Sequence, residues 1–117
     1  MSENIDLTYL EEVTGGSTEI IKQLLELFLN DTPDQIQKLY NNCAKADWDE
    51  VRADAHKLKP TFLYVGLKNA HELLAQIEHG ARSREYLDKI SEMIRSVENE
   101  FEKVEPEIRS TIQQLDS

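Results

Sequence analysis

Residues 47–66 read DWDEVRADAHKLKPTFLYVG, and this stretch decides the fold. Its apolar residues recur at alternating steps of four and three, which places them on one face of an α-helix. Asp47 is a good N-cap with acidic residues behind it, and Gly66 is a typical helix terminator. The stretch therefore predicts an amphipathic helix. The residues on its buried face are Val51, Ala55, Leu58, Phe62 and Val65.

Helical periodicity also fills the chain before residue 47. A short helix is predicted over Leu7 to Val13, and Ser17 is a good N-cap for a long helix that follows it. Pro33 lies inside this second stretch, where it would either start a new helix or kink a continuous one. The apolar stripe stays in phase across Pro33, so both interpretations remain open. Its members are Ile21, Leu25, Phe28, Ile36, Leu39 and Cys43.

Two more helices are predicted after residue 66. One begins near Leu67 and ends at Gly80, with Ala70, Leu73, Leu74 and Ile77 inward. Ser83 is expected to cap the last helix, which Pro106 kinks or restarts. The inward residues of this last helix are Leu87, Ile90, Ile94, Val97, Phe101, Val104 and Ile108.

Four long amphipathic helices with short connections are typical of a helix bundle. No alternating strand pattern or internal repeat is visible, and 117 residues suit a single domain spanning residues 1–117. We therefore predict an all-α fold, an antiparallel up-down four-helix bundle with a short N-terminal capping helix.

Composition narrows the class of protein. The net charge of −10 argues against nucleic-acid binding, although residues 51–69 hold four basic side chains and one acidic one. That basic segment could steer an acidic partner, or it could be a chance feature of the surface. The single Cys43 and the absence of a signal peptide or an apolar run of membrane-spanning length predict a cytoplasmic protein with no membrane contact. Met1 and the lack of a linker at either end favour a free-standing protein.

His56 is the residue that points to chemistry. At 100° per residue it lies about 140° from the centre of the buried face of its helix, so its ring should be in solvent. Lys59 and Pro60 follow one turn later, on the same side. Most exposed histidines have no chemical role, but Pro60 breaks the helical hydrogen-bond ladder without a visible structural reason. Broken local rules of this kind occur often at functional sites.

These residues resemble a known family. Segment 55–60, Ala-His-Lys-Leu-Lys-Pro, with Gly66 ten residues after His56, is similar to the signature of histidine-containing phosphotransfer (Hpt) domains. The family pattern is His, any residue, Leu or Ile, Lys and Gly, so Pro60 is a departure from it. Segments 27–33 and 46–48 resemble the preceding helix and turn of that family, and the resemblance covers nearly the whole chain.

The resemblance implies a histidine phosphotransfer protein of a two-component phosphorelay. His56 would be the phosphorylated residue and Lys59 would stabilise the phosphoryl group. The implied partners are a response-regulator receiver domain, which would supply Mg²⁺, and a hybrid sensor histidine kinase. The protein itself would need no cofactor and would be a phosphocarrier and not a kinase, since no ATP-binding motif is present. We expect it to be monomeric. Gly66 would form a structural turn, and the expected partner-docking residues are Lys57, Pro60, Leu63, Tyr64 and Lys68.

Two rival interpretations remain. A non-catalytic helical adaptor would share the fold and surface, but would have no use for His56 beside Lys59. A metal- or cofactor-holding bundle is disfavoured because the inward positions are apolar and no two histidines have metal-pair spacing. The other notable residues have ordinary structural explanations: His71 as a packing residue, His79 near a helix end, Cys43 in the core, and Trp48 packed across the bundle.

Overall fold

A computed structural model describes residues 5–116 of the chain as a bundle of α-helices. Helices α2 to α5 pack in sequence around one core, with α2 against α3, α3 against α4, and α4 and α2 both against α5. The molecule is elongated, with extents of 46 × 25 × 23 Å. The predicted four-helix bundle with a short N-terminal helix is confirmed. The elements are α1 (Thr8–Thr14), α2 (Thr18–Ala44), α3 (Trp48–Tyr64), α4 (Lys68–Ser83), a 3-10 turn (Leu87–Lys89) and α5 (Ile90–Asp116).

The core forms where the apolar stripes of the four long helices meet. Phe28 of α2 is its aromatic centre, since its ring lies 5.1 Å from that of Phe62 and 5.4 Å from that of Phe101. The whole predicted stripe of α3 is buried, as are the stripes of α2 and α5 apart from partly covered Cys43 and Leu87. Burial of this apolar surface is the main force that holds the helices in register.

The predicted helix starts at Ser17 and Asp47 are confirmed by their capping hydrogen bonds. The Ser17 side chain accepts a hydrogen bond from the Ile20 backbone N–H, and Asp47 accepts one from the Glu50 N–H. The choice at Pro33 is also decided, because α2 passes through it as one continuous helix. α5 likewise continues through Pro106.

The predictions at the end of α4 are wrong. Gly80 does not end the helix, which continues to Ser83, and Ser83 does not cap the last helix. A Cβ on Gly80 would lie 2.5 Å from Cε2 of Tyr86, so this glycine permits close packing of the following loop. That loop turns through left-handed residues Arg84 and Tyr86, which delays the start of α5 to Ile90.

Gly66 ends α3 and holds the N-terminal segment against the bundle. It has a φ of +78°, and a Cβ there would lie 2.5 Å from Cβ of Asp6. The Asp6 backbone N–H donates a 2.8 Å hydrogen bond to the carbonyl of Val65. This attachment fixes α1 beside the C-terminal end of α3, where Leu10 is buried. The predicted turn at Gly66 is therefore present.

Some sequence-based expectations concern residues at the chain ends. The signal-peptide argument and the single-domain range include residues 1–4 and 117, which lie outside the described residues. Between residues 5 and 116, no helix is both long enough and apolar enough to cross a membrane.

Candidate functional site

His56 stands on the outer surface of α3. Its neighbours Ala55 and Leu58 point into the core and are buried, which turns the imidazole outward. The side chain is 67% exposed. The ring is therefore exposed, as the helical spacing predicted.

A carboxylate from the neighbouring helix joins His56 to Lys59. Glu78 of α4 places Oε2 2.7 Å from Nδ1 of His56, and its Oε1 accepts a 2.8 Å hydrogen bond from Nζ of Lys59. Only 12% of the Glu78 side chain is exposed. The imidazole and the ammonium are therefore held side by side by one nearly buried group.

The electrostatics of Glu78 fix the hydrogen-bonding role of His56. Burial alone would raise the pKa of the Glu78 carboxyl, but the hydrogen bonds and charges of Lys59 and His56 bring the pKa below its usual 4.5. The group is therefore ionised near neutral pH and can only accept hydrogen bonds. Nδ1 of His56 must then carry the proton, which leaves the lone pair on Nε2 at the opposite, outward edge of the ring.

This arrangement can perform nucleophilic chemistry on a large partner. The Nε2 lone pair is available at the surface, and the hydrogen bond from Nδ1 to the Glu78 carboxylate fixes the orientation of the ring. The Lys59 ammonium is held by the same carboxylate as the imidazole and can stabilise negative charge on a group that reaches Nε2. Among residues 5–116, no set of three His, Cys, Asp or Glu side chains is arranged to hold a metal ion.

Sequence reasoning missed Glu78, although a signal for it exists. The residue follows Ile77 and lies one turn after Leu74, so it falls at the edge of the buried stripe of α4. A carboxylate at such a position needs a cationic or hydrogen-bonding partner, because an unpaired buried charge is costly. Lys59, on the neighbouring helix α3, is the basic residue that meets this need.

The five predicted docking residues are all exposed, four of them on α3. Lys57 and Pro60 are on the outward surface of α3 with His56. Leu63 and Tyr64 are 38% and 37% exposed, and the Tyr64 ring stacks on Tyr9 of α1 with centroids 5.6 Å apart. Lys68 lies beyond the Gly66 turn, at the start of α4. The expected surface thus continues onto α1 and α4.

An apolar groove extends this surface onto α2. It has a volume of about 190 Å³ and runs between α1, α2 and the C-terminal half of α3. Leu27, which is 55% exposed, lies at its edge, and Gln35 connects it to a small cleft beside Lys57. The sequence alone did not identify these second-helix residues. The side chains lining the groove are Leu10, Leu24, Leu27, Phe28, Asp31, Thr32, Gln35, Thr61, Tyr64 and Val65.

The residues that sequence reasoning set aside are not among the side chains that bind Glu78. His71 is partly covered, as expected of a packing residue. His79 is exposed and contacts Glu85 and Arg82 at the surface. Cys43 and Trp48 are partly buried against the core, and burial raises the pKa of the Cys43 thiol.

Comparisons with known proteins identify a family and a shared fold. A family model described as "Hpt domain" matches residues 23–117. The chain is 27% identical over 77 residues to "Phosphotransferase RcsD" of Escherichia coli (strain K12), a match that covers 61% of this chain and 9% of RcsD. The chain thus spans less than a tenth of that relative's length.

Two solved structures share the fold. Histidine-containing phosphotransfer protein B (HptB) from Pseudomonas aeruginosa PAO1 superposes with a TM-score of 0.84 at 22% identity, covering 94% of this chain and 95% of that one. The HPT domain of an Hpt sensor hybrid histidine kinase from Shewanella gives a TM-score of 0.79 at 18% identity, covering 97% of both chains. At these identities the likeness establishes the all-helical fold.

Proposed function

This chain belongs to the Hpt domain family, and from that premise we propose that it carries phosphoryl groups between receiver-domain aspartates in a two-component phosphorelay. The family supports histidine phosphotransfer in general terms. The specific proposal is that His56 of this chain is the residue that becomes phosphorylated.

The observation that carries the proposal is the exposed Nε2 of His56. The ring is 67% exposed, its Nδ1 is engaged by Glu78, and the lone pair on Nε2 is left at the surface. An interior or fully hydrogen-bonded histidine could not reach the phosphorus atom of another protein's acyl phosphate. A folded partner can reach this one.

The proposed transfer is a direct displacement. Nε2 attacks phosphorus, the bond from phosphorus to the aspartyl oxygen breaks, and its electron pair leaves with the receiver carboxylate. Lys59 stabilises the charge on the transferring oxygens, and Mg²⁺ is expected on the receiver. In the return step the same bonds form and break in reverse. The protein is then a phosphocarrier, and a hybrid sensor histidine kinase is the expected source of the phosphoryl group.

The receiver is proposed to dock on the outward surface of α3 and the adjoining groove. Lys57 and Pro60 surround His56, and the exposed apolar side chains of Leu27, Leu63 and Tyr64 extend the contact area. Apolar anchors beside a reactive centre suit a transient complex, in which few residues provide most of the binding energy. We expect the carrier to be monomeric and cytoplasmic.

The rival function is a helical adaptor that binds a receiver-like partner without transfer. It would use the same surface, but it would have no need for a protonated Nδ1 or for an ammonium beside the ring. The arrangement of His56, Glu78 and Lys59 therefore favours the carrier.

The test is transfer of labelled phosphate from a phosphorylated receiver to the purified protein, with and without His56. We expect His56→Gln to accept no label. His79→Gln is the matched control, since the His79 ring is also exposed on the surface but pairs with Glu85 instead of Glu78, and this variant should accept label as the parent does. Equal labelling of His56→Gln and the parent would show that the assignment is wrong.

A further inference from the structure

The two oxygens of the Glu78 carboxylate are both engaged, one by each partner. Lys59 occupies Oε1 and Nδ1 of His56 occupies Oε2, at 2.8 and 2.7 Å. Because the ammonium holds one oxygen, the other stays directed at the imidazole. The Nδ1–H···Oε2 hydrogen bond does not involve Nε2, so it can persist when Nε2 carries a phosphoryl group.

The state of Nδ1 decides how a phosphorylated ring can react. If Nδ1 keeps its proton, breaking the P–Nε2 bond returns the electron pair to a cationic ring, and a neutral imidazole leaves. If Nδ1 has lost its proton, the leaving group is an imidazolate anion, which is strongly basic and leaves slowly. Whether the phosphorylated form is reactive or inert therefore depends on a single proton, the one on Nδ1.

We propose that Glu78 is a positioning residue that keeps this proton on Nδ1 of the phosphorylated His56, so that the phosphoryl group remains transferable at cytoplasmic pH. The inference rests on the proposed function of His56. Formation of the P–N bond makes the ring cationic, and the Glu78 carboxylate faces that charge at hydrogen-bond distance. No proton has to enter or leave in either direction of transfer.

Glu78 is the negatively charged side chain that contacts the His56 ring. From α4 it contacts the ring directly, while Lys59 of α3 contacts only the carboxylate. Arg52 and Lys57 of α3 are positively charged, so they do not stabilise a positive charge on the ring. Asp54 on α3 is occupied by Lys38 and Asn42 of α2.

The experiment follows the lifetime of the phosphorylated histidine against pH in the parent and in Glu78→Gln. Both proteins are loaded chemically with phosphoramidate, and His56→Gln supplies the background from other histidines. The rate of phosphate loss to water is then measured between pH 6 and 9. Glu72→Gln is the matched control, because it removes the same charge from an exposed position of the same helix.

We expect phosphate loss from Glu78→Gln to begin slowing about one to two pH units lower than loss from the parent, which is the size of shift that a paired carboxylate produces. Above that onset each protein should slow about tenfold per pH unit, as a single proton requires. Glu72→Gln should match the parent. Coincident profiles for the parent and Glu78→Gln would overturn the proposal.

A second measurement needs no phosphate. Nitrogen-15 spectra of the neutral imidazole should show the His56 proton on Nδ1 in the parent and a shift towards Nε2 in Glu78→Gln. A parent with its proton on Nε2 would also overturn the proposal. Because neither measurement uses a receiver, failure of receiver transfer would count against the proposed function and leave the Glu78 result separate.

Discussion

At the scale of single residues, Lys59 and His56 share one carboxylate, and this determines what each can do. Lys59 Nζ lies 2.8 Å from Oε1 of Glu78, and the Lys59 side chain is only a quarter exposed. The ammonium is therefore held in one position. A positioned ammonium costs little reorganisation when negative charge develops beside it. Lys57, two residues earlier, is exposed.

Lys59→Ala should therefore slow phosphoryl transfer from a receiver about a hundredfold, the usual cost of losing one preorganised charge-stabilising donor. Lys57→Ala removes the same charge from the same helix and should lower the rate by no more than about threefold, as expected for a screened surface charge. Single-turnover rates with a phosphorylated receiver measure both. Equal losses in the two variants would mean that only the net charge of the surface matters.

The exposure of His56 could be predicted from sequence, but its contact with Glu78 was not. The exposure of His56 follows from the spacing of Val51, Leu58 and Phe62, which is local information. Glu78 lies 22 residues away and meets His56 only because α3 and α4 pack together. A contact between two helices depends on their relative position, which cannot be deduced from the periodicity of either helix alone.

At the scale of the helices, the apolar stripes predicted which segments are helical, but they did not predict where α4 ends. Gly80 looks like a terminator, yet α4 runs on to Ser83, and the Tyr86 ring packs where a side chain on Gly80 would otherwise lie. Pro33, Pro60 and Pro106 all lie inside continuous helices. Packing of the long amphipathic faces outweighs the local cost of each proline.

Pro60→Ala should stabilise the protein by about 1–3 kcal/mol, because it restores an N–H that can donate to the carbonyl of His56. Pro60 is exposed, so its removal leaves no cavity. Pro106→Ala is the matched control and should also stabilise, since Pro106 is an exposed proline inside α5. Urea unfolding measures both, and only Pro60→Ala should change the rate of transfer from a receiver. A less stable Pro60→Ala would show that the bundle depends on the proline.

At the scale of the whole molecule, the bundle presents one face of α3 to the outside and supports it from behind. Phe62 and Leu58 fix α3 in the core, α4 brings Glu78 to the side of His56, and α1 with α2 forms the groove on the other side. The class of fold and the position of His56 were predictable because they depend on helical periodicity. The groove was not, because it exists only where three helices meet.

The central claim is that His56 carries a phosphoryl group as a phosphoramidate, and the chemistry of the linkage tests it most directly. The protein is labelled from a phosphorylated receiver, and the bound phosphate is challenged with acid and with base before the site is mapped by peptide fragmentation. We predict a phosphate on His56 that is lost in acid and retained in base. A stable complex with the receiver and no phosphate on His56 would contradict the account and favour the adaptor.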